Sequence, residues 1–180
     1  MLAWREFIEV YQPLIRSLAI RRGLQRADAD DVTQEVLTRV ARHIEDWDTK
    51  SESSSFRGWL ATITRNQTIQ FFREDRRRPA TGVDSRISRK PVEVQESDFD
   101  LEHNRQLFAW AARRTQSRFQ SRTWQAFWLT AVEGQPIADV AKRLETSVAQ
   151  IYVSRSRVMK ALRLAVDESE FESMADWRIS

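Results

Sequence analysis

The chain contains no cysteine, which excludes disulfides and thiolate metal sites and makes a reducing compartment comfortable without requiring one. Histidine is almost absent as well. His43 and His103 are the only two, too few for a histidine-rich metal site. Glycine and proline number four each in 180 residues, which argues against a turn-rich β architecture and for long helices. No apolar run approaches the roughly 20 residues of a membrane span. The N-terminal stretch MLAWREFIEV carries Glu6 and Glu9 where a signal peptide needs an unbroken apolar segment. These absences point to a cytoplasmic location.

Hydrophobic residues make up 41% of the chain, enough for a packed core, and the length allows one medium domain or two small ones. The net charge is only +3, from 29 basic and 26 acidic residues, but the charges are segregated. Arg73, Arg76, Arg77 and Arg78 form one basic cluster, and Arg155, Arg157, Lys160 and Arg163 form another. Glu93, Glu96, Asp98, Asp100 and Glu102 lie between them with no basic residue among them. Two basic patches flanking an acidic stretch suit two contacts with a polyanion, although on charge alone an ordinary solvated surface would look the same.

Periodicity divides the chain into helical blocks. Trp4, Phe7, Tyr11, Leu14, Ile15 and Leu18 recur at helical spacing. Pro13 should kink or restart that helix, and Gly23 should cap it. A second helix is expected from an Asp28 N-cap, with Asp30 and Asp31 in its first turn and a stripe of Val32, Val36, Val40 and Ile44 widened by Leu37 and Ala41, ending near Asp46. Asp48–Ser55 reads as a polar loop. A third helix comes next, with Phe56, Trp59, Leu60 and Ile63 on one face. Residues 79–100 show no sustained period and read as a linker. These features predict an all-α fold of two small helical domains: residues 1–78, then, after the linker, residues 101–166, with an acidic tail at 167–180.

The most specific local pattern lies in the second domain. Ile137, Val140, Ala141 and Leu144 mark a short helix, and Ser147 to Gln150 form a capping box of the S-x-x-Q type. A long basic helix succeeds it, with Val148, Ile151, Val158 and Leu162 facing inward. The combination predicts a helix-turn-helix, whose second helix enters the major groove. Gln150, Tyr152, Val153, Ser154 and Arg157 then fall where base edges are read, and Lys160 and Arg163 where phosphates are met, with Arg155 able to exchange roles with Arg157. A plain helical hairpin with a basic face would share the periodicity. In the first domain, Phe56 to Arg73 interleaves aromatics with arginine, a pattern suited to stacking on unpaired bases while arginines track the backbone. Phe56 and Trp59 could instead be plain core residues, and for Trp59 the core role fits better than stacking. Asn66 falls on the inner edge of the stripe, where it must be hydrogen-bonded or reach a ligand. Asp28, Asp31 and Glu35 share a helix face. Metal binding there is conceivable, but helix capping or a protein contact suits them better.

These segments together resemble an extracytoplasmic-function (group IV) sigma factor of the sigma-70 family. Asp28-Ala-Asp30-Asp31-Val-Thr-Gln34-Glu35-Val36 is similar to the region 2.2 pattern. Phe56 to Arg78, with Trp59, Leu60, Ile63, Arg65 and Asn66, resembles regions 2.3 and 2.4, and Glu133-Gly134 through Arg163 resembles region 4.2. The sequence departs from the pattern at Gln70, where the family usually has Asp, and at Glu145, where a turn glycine is common. The segment before Trp124 also differs, reading Phe119-Gln-Ser-Arg122-Thr. The resemblance implies a non-enzymatic protein without cofactors that docks on core RNA polymerase. Asp31, Gln34 and Glu35 would meet the beta-prime coiled coil. The loop from Thr49 to Ser55, with Phe56, Arg65, Asn66, Arg73, Arg76 and Arg77, would take the −10 element, capturing a flipped base. Gln150, Tyr152, Ser154, Arg155, Arg157 and Lys160 would read the −35 element beside the beta flap. Promoter DNA, core polymerase and an anti-sigma factor are the partners it suggests. The competing readings are a free-standing helix-turn-helix regulator that never binds core polymerase and a nucleic-acid enzyme using the Asp cluster. The latter lacks a visible general base, nucleophile or P-loop.

Overall fold

The structure, a computed structural model, describes residues 2–44, 56–77 and 96–169. Every element among them is helical: α1 (Leu2–Arg21), α2 (Arg26–His43), α3 (Phe56–Arg77), α4 (Glu96–Thr115), a 3-10 turn (Gln116–Arg118), α5 (Ser121–Phe127), a π-helical turn (Trp128–Val132), α6 (Ile137–Arg143) and α7 (Val148–Asp167). The chain divides between Gln106 and Leu107 into two compact units.

In the first unit, α1 packs on α2 and α2 on α3. Phe7, Val10, Tyr11, Leu14, Ile15, Leu18 and Ala19 of α1 are buried against Val32, Val36, Leu37 and Val40 of α2. Pro13 lies inside α1 without ending it, although its missing N–H withdraws one hydrogen bond from the helix. Gly23, at φ +99°, closes α1 as anticipated. Its N–H donates to Ile20 O and the Leu24 N–H to Ala19 O, the paired bonds of a Schellman cap.

Helix α2 starts earlier than its carboxylates suggest. Gln25 is the N-cap, without a side-chain cap bond, and Ala29 N–H already donates to Gln25 O. Asp28 therefore sits in the first turn, where it favours the helix dipole but does not cap. Ala41 is exposed and Ile44 is the C-cap; Asp46 lies outside the described residues.

The buried line of α3 runs Phe56, Leu60, Thr64, Thr68 and Phe72, with Gln67 beside it. The two threonines donate back to the carbonyls of Leu60 and Thr64. That satisfies their hydroxyls inside the core while keeping the side chains small. Trp59 and Ile63 are only half-buried at its edge.

Residues 79–95 of the expected linker lie outside the described residues. Its last five belong to α4, which begins at Glu96. Phe99 is buried, and the acidic run that looked like linker is tied to α1: Arg21 pairs with Asp98 at 3.6 Å and with Glu102 at 3.7 Å. Carboxylates in an early helix turn are favoured by the dipole, so the same residues suit a helix start. His103, fully buried, meets the Tyr11 hydroxyl at 3.3 Å. The first half of α4 is thus part of the first unit's core.

In the second unit, Trp110, Ala111, Ala112 and Thr115 are buried on α4. Trp124 stacks with Trp128, and Trp128 with Phe108. Gly134, at φ +70°, breaks the chain after the π turn. Helices α5 and α6 pack against α7, and Ala126, Val140, Ala141 and Ile151 form a small core with Leu129, Ile137 and Leu144 at its edge.

Candidate nucleic-acid and protein-docking surfaces

The exposed side of α2 carries Asp31, Gln34 and Glu35, opposite the buried Ala29, Val32, Thr33, Val36 and Leu37. Glu35 is held by Arg39 one turn on, at 3.0 Å. An exposed ion pair of this kind orients the carboxylate and adds little stability. The result is a polar, net acidic patch on a rigid helix.

On α3 the arrangement differs from the sequence expectation at two residues. Phe56 is core. Its ring stands edge-on to Phe7 (5.9 Å between centroids) and Tyr11 (5.7 Å), in a cluster where Phe7 and Tyr11 stack at 4.4 Å. A ring so enclosed has no open face for a base. The half-buried Trp59 lies over it at 5.6 Å and remains the accessible aromatic of this turn. Asn66, predicted on the inner edge of the stripe, is exposed, as are Arg65 and Arg73. The face is set by the partner helices: Thr64, Gln67 and Thr68 turn inward and carry Arg65 and Asn66 out. Arg76 and Arg77 lie in the last turn of α3, while Thr49–Ser55 lies outside the described residues. Arg22, buried beside this helix, has its guanidinium pushed below its ordinary value by burial and then by repulsion from Arg65, with Asp98 opposing.

In the second unit, α6 and α7 form the helix-turn-helix. Ser147 Oγ accepts from the Gln150 N–H at 3.1 Å, the N-cap expected from the sequence. Ile151, Ser154, Val158, Leu162 and Ala165 face inward. Two expectations fail here. Ser154, anticipated among base-reading residues, is 4% exposed, and Val148, anticipated inside, is 45% exposed. Three residues on from Ile151, position 154 falls near the middle of the buried stripe. Val148 precedes that stripe, at the first position of α7. Gln150, Val153, Arg157 and Lys160 share one exposed face at helical spacing, with Tyr152 exposed beside them and Arg155 half-buried. Val153 is an apolar side chain suited to a thymine methyl.

The turn between α6 and α7 carries Glu145, which the sequence marks as standing where a turn glycine is common. Glu145 takes φ +49°, the left-handed conformation that favours glycine. Its N–H donates to Lys142 O, and the Thr146 N–H to Ala141 O, forming a second Schellman-type closure. Arg122, on α5, donates from Nε to Leu144 O at 2.7 Å and from Nη2 to Glu145 O at 2.9 Å, and Nη2 also meets Leu144 O.

Among the described residues no group of three or more His, Asp or Glu side chains could hold a metal ion, and no helix is long and apolar enough to cross a membrane. Residues 7–78 match the family described as Sigma-70 region 2. The chain is also similar to the ECF RNA polymerase sigma factor SigE of Mycolicibacterium smegmatis (strain ATCC 700084 / mc(2)155), 29% identical over 93 residues. That match covers 52% of this chain and 35% of the relative, so the chain matches about a third of that protein's length. The segment spanning α1 to α3 is thus similar to sigma-70 region 2, and about half of the chain is similar to a protein named as an extracytoplasmic-function sigma factor.

Proposed function

We propose that the chain is a promoter-recognition subunit of RNA polymerase that acts in the cytoplasm and has no catalysis of its own. The observation carrying this reading is the coexistence, in one chain, of a sigma-70 region 2 and a capped helix-turn-helix with a polar, basic exposed face. In this reading the α2 patch of Asp31, Gln34 and Glu35 docks on the beta-prime coiled coil. Residues 1–78 engage the −10 element through Arg65, Asn66, Arg73, Arg76 and Arg77. Phe56 braces the pocket from beneath and Trp59 offers its exposed edge to an unstacked base. Melting draws on strand capture and stacking, and is cheapest at weakly stacked steps. Residues 101–166 meet the −35 element, with Gln150, Tyr152 and Arg157 at base edges and Lys160 at the backbone.

The test is transcription in vitro with core polymerase on a genomic fragment library, with mapping of start sites. Transcripts that need the chain and share two upstream elements are expected. Binding to DNA without association with core polymerase would overturn the proposal in favour of a free-standing regulator.

A further inference from the structure

We propose that Arg122 is a positioning residue for DNA reading: it clamps the strained α6–α7 turn and thereby fixes the angle at which α7 presents its exposed face. The proposal rests on the reading of α6–α7 as a DNA-binding helix-turn-helix.

Glu145 is the origin of the strain. A non-glycine residue at φ +49° is held against its own preference. Of the conformations open to it, a right-handed one would re-aim everything C-terminal to it, beginning with Ser147 and the first turn of α7. The closing backbone bonds to Lys142 O and Ala141 O leave the carbonyls of Leu144 and Glu145 at the C-terminal end of α6, where the helix dipole is negative. Arg122 occupies that position. Its planar guanidinium reaches both carbonyls at once, from a residue 22 positions away on the helix that packs against α7. Charge-assisted, forked contacts are stronger than neutral ones and directional. The clamp therefore ties three things together: the platform helix α5, the left-handed turn and the start of α7. In a chain whose turn carries Glu where glycine would adopt this conformation freely, such a fastener replaces what glycine's backbone permits.

Two other roles for Arg122 make different predictions. A phosphate contact by its charge would survive Arg122→Lys and would be indifferent to residue 145. A purely structural role would lower stability without altering sequence discrimination. The clamp predicts that Glu145→Gly, which removes the strain, makes Arg122 dispensable.

The experiment uses the full chain and duplexes enriched by the wild type from a randomised pool, with a scrambled duplex as reference. Dissociation constants are measured for wild type, Arg122→Ala, Arg122→Lys, Glu145→Gly and the Arg122→Ala/Glu145→Gly double variant. Arg122→Ala should lose about tenfold in preference for the enriched over the scrambled duplex, Arg122→Lys should lose part of it, and the double variant should regain it. In parallel, amide hydrogen exchange at Thr146 and Gln150, whose N–H groups are bonded to Ala141 O and Ser147 Oγ, should speed up about tenfold in Arg122→Ala and return to the Glu145→Gly rate in the double variant. Unchanged exchange in Arg122→Ala overturns the proposal. So does a loss of preference that Glu145→Gly fails to restore, or full preference in Arg122→Ala. If the wild type enriches no duplex, the DNA-binding reading of α6–α7 falls, and with it the role in reading, while the exchange arm still decides whether Arg122 holds the turn.

Discussion

His103 is fully buried at the seam between α1 and α4, and this has a measurable consequence. Its ring meets the Tyr11 hydroxyl, and burial, reinforced by Arg57 on α3, pushes its pKa from 6.5 down to about 4, against the opposing pull of Asn104 and Asp100 on α4. A histidine held neutral in the folded state binds its proton more readily when unfolded, so stability is full above pH 6.5 and falls as the pH drops toward 4. The gap between those two values corresponds to about 3 kcal/mol once both states are protonated, and to about 2 kcal/mol at pH 5. Urea unfolding of the wild type and of His103→Gln at pH 5 and pH 7.5 reads this directly. The glutamine can still bond Tyr11 but does not titrate, so carboxylate contributions cancel in the comparison. The wild type should lose about 2 kcal/mol more than the variant between the two pH values. NMR titration of the His103 ring gives the same quantity independently. A ring that titrates near 6.5, or parallel pH dependence in the two proteins, would refute the placement of His103 in the core and with it the docking of α4 on α1.

Phe56→Ala should destabilise the first unit by about 3–5 kcal/mol, because it empties the space between Phe7, Tyr11 and Trp59, and calorimetry should show the loss with no DNA present. Ser147→Ala removes the cap of α7 and should cost about 1 kcal/mol, read from tryptophan fluorescence during unfolding. Reversing charge with Asp31→Lys and Glu35→Lys together should abolish co-elution with core polymerase while circular dichroism stays unchanged; co-elution of the double variant would count against the docking patch. Against a library of −35 point variants at several salt concentrations, Arg157→Ala should relax preference at one base pair, worth about 1–3 kcal/mol. Lys160→Ala should weaken all sequences alike and reduce the salt slope by about one.

The helices themselves were legible because apolar residues recur every three to four positions and because the punctuation is local. Gly23 and Gly134 take the positive φ that ends a helix, and Ser147 caps α7 through a bond to a residue three positions away. The order of motifs carried the resemblance to sigma factors for the same reason, since each is a short run read without knowledge of its neighbours. What only the tertiary structure decided lies at the edges of those stripes and at long range. A helical period of 100° per residue leaves Phe56, Asn66, Val148 and Ser154 within one rotation of either side. The partner helices settled it, burying Phe56 and Ser154 and exposing Asn66 and Val148. The acidic run after Pro91 lacks a visible period, yet from Glu96 it is helical, because Arg21, Tyr11 and the buried seat of Phe99 supply partners more than 70 residues away in sequence. Arg122 is the clearest case. In the sequence its segment stands out only as a departure from the sigma-factor pattern and not by any role, since its two acceptors are backbone carbonyls 22 and 23 positions away, which exist as a paired target only once α6 has ended in a left-handed turn and α5 lies beside it.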